Sequence, residues 1–259
     1  MDVSFIIINY RSRNFLENCI KSIFKYATNF SFEVIIINND REALEKILDS
    51  YDLKIVENNL NKGFSHASNL GAEKATGKIL FFLNADTELT DYNIIDIKNS
   101  FNDPLIGAAA PKLILPNGHP QSWGAGYEIT FWDIIKNNLG YIKSKAVWFK
   151  QEISEVDWAS GAALAVSKEV FEKCHGFDEN FFMYFEDVDL CRRIRNMGKK
   201  IILFPNAHVI HNGGQSKLNA KKQKEQYYLS QDYYFKKNFG TIYYFMIRTI
   251  RSIFLFFIG

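Results

Sequence analysis

The stretch Lys78-Ile79-Leu80-Phe81-Phe82-Leu83-Asn84-Ala85-Asp86-Thr87-Glu88 decides how this chain is read. Ile79 to Leu83 is a five-residue apolar run, too short for an ordinary helix. Gly77 precedes it and a polar cluster follows, the pattern of a strand buried on both faces. Asp86 falls just past the carboxyl end of that strand. In an open parallel sheet ligands bind in the crevices beyond those ends, and a carboxylate there can hold a hard divalent cation that in turn grips a diphosphate. Read alone, Asp86 can equally cap the turn that follows.

On the N-terminal side, Val3 to Ile8 is a second near-continuous apolar strand, which the chain leaves through Asn9-Tyr10-Arg11. A helix is expected next, because Leu16, Cys19, Ile20, Ile23 and Phe24 recur at helical spacing and Asn14 with Glu17 is spaced as a capping box. Glu33 to Ile37, ending in Asn38-Asn39-Asp40, reads as a strand, Ala43 to Leu48 as a helix and Lys54 to Glu57 as a third strand. Asn61-Lys62-Gly63-Phe64 turns into a helix over Ser65 to Ala75, closed by Gly77. Strand and helix thus alternate four times up to Leu83. That rhythm predicts an α/β protein with a mostly parallel central sheet flanked by helices.

Beyond the central strand the rhythm loosens. Tyr92 to Phe101 has helical character, Ala108 to Leu115 holds one or two strands interrupted by Pro111, and Pro116-Asn117-Gly118 is a turn. His119 to Glu155 is rich in aromatics and has no clear period, so it receives no assignment. Gly161 to Val166 is a small-residue strand and Lys168 to Cys174 a short helix. A helix from near Glu186 to Gly198 would carry three carboxylates in its first turn, where the helix dipole favours them. Lys200 to Phe204 and Ala207 to Ile210 read as two more strands.

The 259 residues, 47% hydrophobic and 23% charged, fit one large domain or a domain with an appendage. Cys19, Cys174 and Cys191 are odd in number and have no metal-type spacing, so reduced thiols are expected rather than a disulfide frame. The net charge of +2 is unevenly spread. From Gly213 onward eight Lys or Arg face two acidic residues, a local +6 that leaves −4 on the rest. No Gly-x-Gly-x-x-Gly follows the first strand and no Gly-x-x-x-x-Gly-Lys-Ser/Thr occurs, which removes the common dinucleotide and P-loop classes. What remains is a set of polar or glycine residues where strands end, namely Asn9, Asn38, Asn61, Gly63 and Asp86. Together they would rim one crevice.

Five strings then resemble a known family. They are Ile7-Ile8-Asn9-Tyr10; Asn61-x-Gly63-Phe64 with Asn69-x-Gly71; Leu83-Asn84-Ala85-Asp86-Thr87; Trp158-x-x-Gly161; and Gly176-Phe177-Asp178-Glu179 followed by Phe182-x-Tyr184-x-Glu186-Asp187-x-Asp189-Leu190 and Arg193. They are similar to the family 2 glycosyltransferases, and more narrowly to the bacterial rhamnosyltransferase-like branch, over about Val3 to Ser216. The resemblance implies a GT-A fold, a nucleotide-diphosphate sugar donor, a divalent metal (Mn²⁺ or Mg²⁺) and inversion at the anomeric carbon. Asp86 then corresponds to the metal-binding aspartate of an Asp-x-Asp element whose first aspartate is here Asn84. His211 corresponds to a further metal ligand; His208, three residues earlier, would face the other side of an extended strand. Asn9, Tyr10, Asn38, Asn61, Gly63, Asn84 and Asp86 would bind the donor, Asn38 standing where an aspartate usually contacts the base. An Asn oxygen can still accept from a pyrimidine N–H. Asp187 corresponds to the general base, with Glu186 and Asp189 orienting the loop or the acceptor, and Trp158 and Tyr184 stacking on sugar rings or serving the core.

The expected organisation is a GT-A catalytic domain over 1–212, its nucleotide-sugar part about 1–115 and its acceptor part about 116–212, followed by a basic aromatic helical tail over 213–259. In the tail, Tyr228, Phe235 and Phe239 recur among lysines, and Ile242 to Ile258 is an apolar run broken by Arg248 and Arg251. It is shorter than the roughly 20 residues a spanning helix needs. It therefore suggests a helix lying at an anionic membrane surface, the alternative being a helix packed on the catalytic domain or on a second subunit, which leaves a homo-oligomer open. The expected partners are the donor, thymidine-diphosphate rhamnose being the first to try, and a lipid-linked glycan acceptor; no nucleic acid is expected. The apolar start of the chain reads as a strand and not a secretory leader, which places the expected protein in the cytoplasm, peripheral at the inner face of the membrane. Two other classes compare with this one. A non-catalytic nucleotide-sugar or glycan-binding subunit of the same fold would have no need of a base, and a sugar-phosphate nucleotidyltransferase would need a Gly-rich loop where Asn9-Tyr10-Arg11-Ser12 stands.

Overall fold

The computed structural model describes residues 1–40, 44, 51–58, 60–213 and 220–258. In chain order the elements are β1 (Val3–Asn9), α1 (Arg13–Tyr26), β2 (Phe32–Asn38), β3 (Leu53–Glu57), α2 (Phe64–Lys74), β4 (Ile79–Asn84), β5 (Thr87–Leu89), α3 (Ile94–Ser100) and β6 (Ile106–Ile114). Then follow β7 (Ala125–Gly126), α4 (Phe131–Asn138), α5 (Lys145–Trp148), β8 (Ser154–Val156), β9 (Trp158–Ala159), β10 (Ala163–Ser167), α6 (Lys168–Lys173), α7 (Glu186–Asn196), β11 (Lys200–His211), α8 (Ala220–Phe239) and α9 (Thr241–Ile258).

The large sheet runs β3-β2-β1-β4-β10-β6-β11-β5, with β8 also pairing β11. The β3-β2-β1-β4 half is parallel throughout, β10 runs antiparallel between β4 and β6, and β11 is parallel to β6. The carboxyl ends of β1, β2, β4, β6 and β11 therefore share one edge of the sheet. Alternate residues of the apolar runs go to opposite faces, as a pleated strand dictates. Phe5, Ile7, Phe81 and Leu83 join one buried cluster with α1 residues Leu16, Ile20 and Ile23. Ile6, Leu80 and Phe82 join the other, with Leu190 and Ile194 of α7 and with Tyr234 and Phe235 of α8. A sheet covered on both faces explains why its strands read as unbroken apolar runs.

Several expectations change. Helix α1 starts at Arg13 with Ser12 at its N-cap, without a side-chain cap bond, so Asn14 and Glu17 do not form a capping box; Glu17 pairs instead with Lys21 at 2.6 Å. A capping box does form between Thr130 and Asp133, at the head of α4, inside the aromatic-rich stretch that has no clear period. Pro111 does not interrupt β6. Its partner on one side is Phe204 of β11, and on the other the ladder with β10 stops at Ala109, so the missing N–H leaves no bond unmade. Likewise the two strands expected over Lys200–Phe204 and Ala207–Ile210 are one, β11, carried past Pro205 by a register shift between Phe204 and His208. The helix expected over Ala43 to Leu48 lies outside the described residues apart from Leu44, which is buried. Cys19, Cys174 and Cys191 are free and buried.

Candidate active site

A cavity of about 680 Å³ opens at the shared carboxyl edge. Its wall takes Tyr10 from the end of β1, Asn39 from beyond β2, Asn61 and Gly63 from the turn into α2, Asn84 and Asp86 from the end of β4, and His211 from the end of β11. The first turn of α7 adds Glu186 and Asp187. Strands adjacent in the sheet thus gather residues that are far apart in sequence, as open α/β sheets do.

At the β4 end, Asp86 lies in the turn joining β4 to β5 and its carbonyl accepts the backbone N–H of Asn212 at 3.0 Å. That bond draws the end of β11 over Asp86. His211 Nδ1 donates to Gln121 Oε1 at 2.9 Å, which leaves Nε2 turned toward Asp86 Oδ1 and the Asn84 amide, each at 3.3 Å. An imidazole lone pair facing a carboxylate oxygen suits a shared cation, and the Gln121 bond is the kind of outer contact that fixes the ring of a metal-ligating histidine. Among the described residues no group of three or more His, Cys, Asp and Glu is gathered. Asp86 and His211 would supply two ligands to a divalent cation, and a bound diphosphate and water would have to supply the others. His208, by contrast, pairs with Asp91 at 3.5 Å on the far side of the strand.

Asp187 is held by backbone. Its Oδ2 accepts from Gly161 N–H at 2.9 Å and its Oδ1 from Val188 N–H at 2.8 Å. Burial pushes its carboxyl above the ordinary aspartate value, the two N–H bonds opposing the rise. Glu186 is buried beside it, and its Oε2 has no hydrogen-bond partner. Burial, and then the neighbouring Asp187 charge, push Glu186 well above the ordinary glutamate value. Helix α7 is entered through Tyr184 and Phe185, both left-handed at φ 72° and 65°.

The other expected residues divide. Tyr10, Asn61 and Gly63 line the cavity, as do Trp158 and Tyr184. Trp158 is buried with its indole N–H donating to the Tyr127 carbonyl at 3.0 Å, so one edge is fixed in the core while a face borders the cavity. Asn9 and Asn38 do not line it. They are directly paired across β1 and β2, fully buried, with Asn9 Nδ2 donating to Asn38 Oδ1 at 2.8 Å and Asn38 Nδ2 to Glu57 at 2.7 Å. The next residue, Asn39, takes the place at the cavity wall. Asp189 is fully buried and away from the wall, bonded to Arg193 at 2.8 Å, whose Nη1 in turn donates to the carbonyls of Cys174 and Gly176. Gln121, Asn39 and Tyr227 of α8 are wall residues that sequence reasoning missed.

A mixed α/β sheet flanked by helices, with a cation-capable pair and a backbone-held carboxylate in one crevice at its carboxyl edge, has the form of a GT-A glycosyltransferase fold. A solved structure of GalNAc-T7 with UDP, GalNAc and Mn²⁺ is similar to it with a TM-score of 0.62 at 18% identity, covering 91% of this chain and 50% of that one. The chain belongs to glycosyl transferase family 2, whose model matches residues 4–173. Asp187 and His211 lie beyond the matched stretch. Among curated proteins the chain is 26% identical to the O-antigen biosynthesis protein RfbC of Myxococcus xanthus over 87% of its length, although it spans only 18% of that protein. It is 41% identical over 81 residues to the rhamnosyltransferase WbbL of Escherichia coli strain K12, covering 30% of each.

Proposed function

We propose that the chain is an inverting glycosyltransferase that moves a hexose, with L-rhamnose from thymidine-diphosphate rhamnose as the first candidate, onto a hydroxyl of a growing cell-surface glycan. The observation that carries this is Asp187, a carboxylate at the cavity wall fixed by two backbone N–H groups in the same cavity as Asp86 and His211. In the reaction Asp187 takes the proton of the acceptor hydroxyl as that oxygen attacks the anomeric carbon. The bond from that carbon to the nucleoside diphosphate breaks on the opposite face, so the configuration inverts. A divalent cation between Asp86 and His211 would offset the charge gathering on the departing diphosphate, which removes the need for a protein acid there. Tyr10, Asn39, Asn61 and Gly63 line the donor side, and Trp158, Tyr184 and Glu186 the acceptor side. The named activity of the E. coli relative supports rhamnose, and that of the M. xanthus relative supports a surface glycan.

The tail belongs to the same reading. Ile242, Phe245 and Ile253 of α9 and Trp132 of α4 are exposed apolar residues, with Trp132 and Tyr243 bordering one shallow groove. We take this face to rest on an anionic membrane surface, where a lipid-linked acceptor would be presented. No helix among the described residues is long and apolar enough to cross a membrane.

The test is a panel of nucleotide sugars with Mn²⁺ or Mg²⁺, following release of nucleoside diphosphate. Asp187→Asn is expected to keep donor binding and to lower turnover by roughly a hundredfold or more; near-normal turnover would remove Asp187 as the base. Donor binding without turnover in the wild-type chain, under every donor and acceptor tried, would point to the binding-subunit alternative. Calorimetry with the nucleoside diphosphate tests the cation: affinity should collapse in excess chelator and in Asp86→Ala. Equal affinity in chelator would rule the cation out.

A further inference from the structure

The turn that delivers the acidic pair is gripped from two directions. From one side comes the start of α2, where the Phe64 N–H donates to the Phe182 carbonyl at 2.8 Å. From the other comes α8, which lies beyond the stretch matched by the family model. The Ser230 hydroxyl donates to the Met183 carbonyl at 2.7 Å and the Tyr233 hydroxyl to Asp178 at 3.0 Å. Lys237 bonds both Asp178, at 2.7 Å, and Asp189, at 2.9 Å, and Asn238 adds a 3.2 Å bond to Asp189. The rings of Tyr227 and Tyr234 stand 5.4 and 5.2 Å from that of Phe185.

These contacts converge on a strained piece of backbone. Two successive non-glycine residues, Tyr184 and Phe185, hold left-handed torsions immediately before Glu186 and Asp187. Such a conformation lasts only where the surroundings over-determine it. Relaxing either residue would swing the first turn of α7 and take Asp187 off the Gly161 N–H. Lys237 ties the two ends of this segment, Asp178 before the turn and Asp189 within the first turn of α7. Asp189 is fully buried, so its charge has to be met, and it is met jointly by Arg193 Nε, Lys237 Nζ and the Asn238 amide, two of the three coming from α8.

Resting on the glycosyltransferase reading above, we propose that α8 is the brace that holds the base-bearing turn in its reactive shape, and that Lys237 is a positioning residue for sugar transfer. The tail is then part of the catalytic machinery through its first helix, whatever its second helix does. Lys237 does not line the cavity, so its loss is expected to act on the turnover step and not on donor affinity. An Arg in its place keeps the charge and two-armed bonding.

The experiment has two arms on the full chain. Hydrogen–deuterium exchange without ligand compares peptides covering 177–190 in wild type and Lys237→Met; exchange there should rise at least tenfold while peptides from β1, β2 and β4 stay unchanged. Kinetics with whichever donor of the panel the wild type turns over should show kcat down at least tenfold at unchanged donor KM, with Lys237→Arg recovering most of it. Unchanged exchange in 177–190 overturns the brace. Raised exchange with wild-type kcat, or a loss seen in KM alone, overturns the positioning role. Should Lys237→Met fail to fold, Ser230→Ala removes a single hydroxyl from the same contact and is expected to raise exchange and lower kcat about threefold; no change in either overturns the proposal. A wild-type chain inactive on every donor counts against the glycosyltransferase reading, and the exchange arm then decides the brace by itself.

Discussion

Two adjacent carboxyl groups, Glu186 and Asp187, differ in what they are bonded to, and the difference supports the roles proposed for them. Asp187 has two backbone donors that favour its charge, whereas one Glu186 oxygen has none. Asp187 therefore ionises first and Glu186 keeps its proton, held there by burial and by the charge next to it. With Asp187 in the proposed role of base, transfer needs it ionised, and desolvation raises its pKa, so turnover should fall as pH is lowered through a midpoint above the ordinary aspartate value of 3.8. Glu186→Gln, which mimics the protonated form, should stay within a few-fold of wild type and leave that acid limb in place. A loss as large as that of Asp187→Asn would exchange the two assignments. At this scale the sequence was most informative at or just past a strand end and at a helix start, where His211, Asp86 and Asp187 lie. It was least so between neighbours such as Asn38 and Asn39, where the alternation of a strand sends one side chain beneath the site and the next into its wall. Gln121 was invisible because its partner is 90 residues away.

The strands at the centre of the sheet, β1, β2 and β4, were legible because each is buried on both faces, and burial writes itself as an apolar run. The elements around the acceptor side were not. Helix α4 is only Phe131–Asn138 and its capping box was the one local signal it offered; α5 is a single turn. Pro111 misled because a proline reads as a break until the neighbouring ladder is known to have ended. The turn into α2 shows how sharply one such junction is specified. Gly63 has φ +102°, and a Cβ there would lie 2.3 Å from the Phe182 carbonyl oxygen, in the loop that leads to the acidic pair. Gly63→Ala should cost at least about 2 kcal/mol from backbone strain and clash together, read as a lower thermal midpoint. Gly118→Ala makes the control, since φ is +81° there but no atom lies within 4 Å. Its cost should stay near about 1 kcal/mol, the left-handed penalty alone, and equal losses in the two variants would show that the Phe182 contact is unimportant.

Over the whole molecule, what the sequence presented as one basic aromatic tail is two helices in different surroundings. Tyr234 and Phe235 of α8 are buried in the catalytic core, and Arg251 of α9 bonds Asp232 and Gln231 of α8, so it is spent on packing the two helices together. The outer face of α9 keeps its apolar side chains in the open, with Ile242 75% and Phe245 61% exposed. Burying such a face in the boundary layer of a membrane recovers roughly 1.5–3 kcal/mol per large side chain. The full chain should therefore float with anionic liposomes in a density gradient, and the double variant Ile242→Ser with Phe245→Ser should stay at the bottom with its fold and thermal midpoint intact. If wild type and variant remain at the bottom alike at low salt, α9 is a packing element and the acceptor need not be lipid-linked.

The order of strands in the sheet also bears on how the chain can be made. Strand β11, the last of the described strands, is seated between β6 and β5, and β10 is seated between β4 and β6. A nascent chain that has left the ribosome only as far as α7 already contains β5 and β6 but not the strand that separates them. Both would present unpaired N–H and carbonyl groups along an interior gap, the kind of edge that recruits foreign strands. Completion of the sheet waits for residues 200 to 211, and His211 enters the crevice with the same stroke. Premature termination anywhere before Lys200 should therefore give aggregating products, with no smaller active enzyme among them.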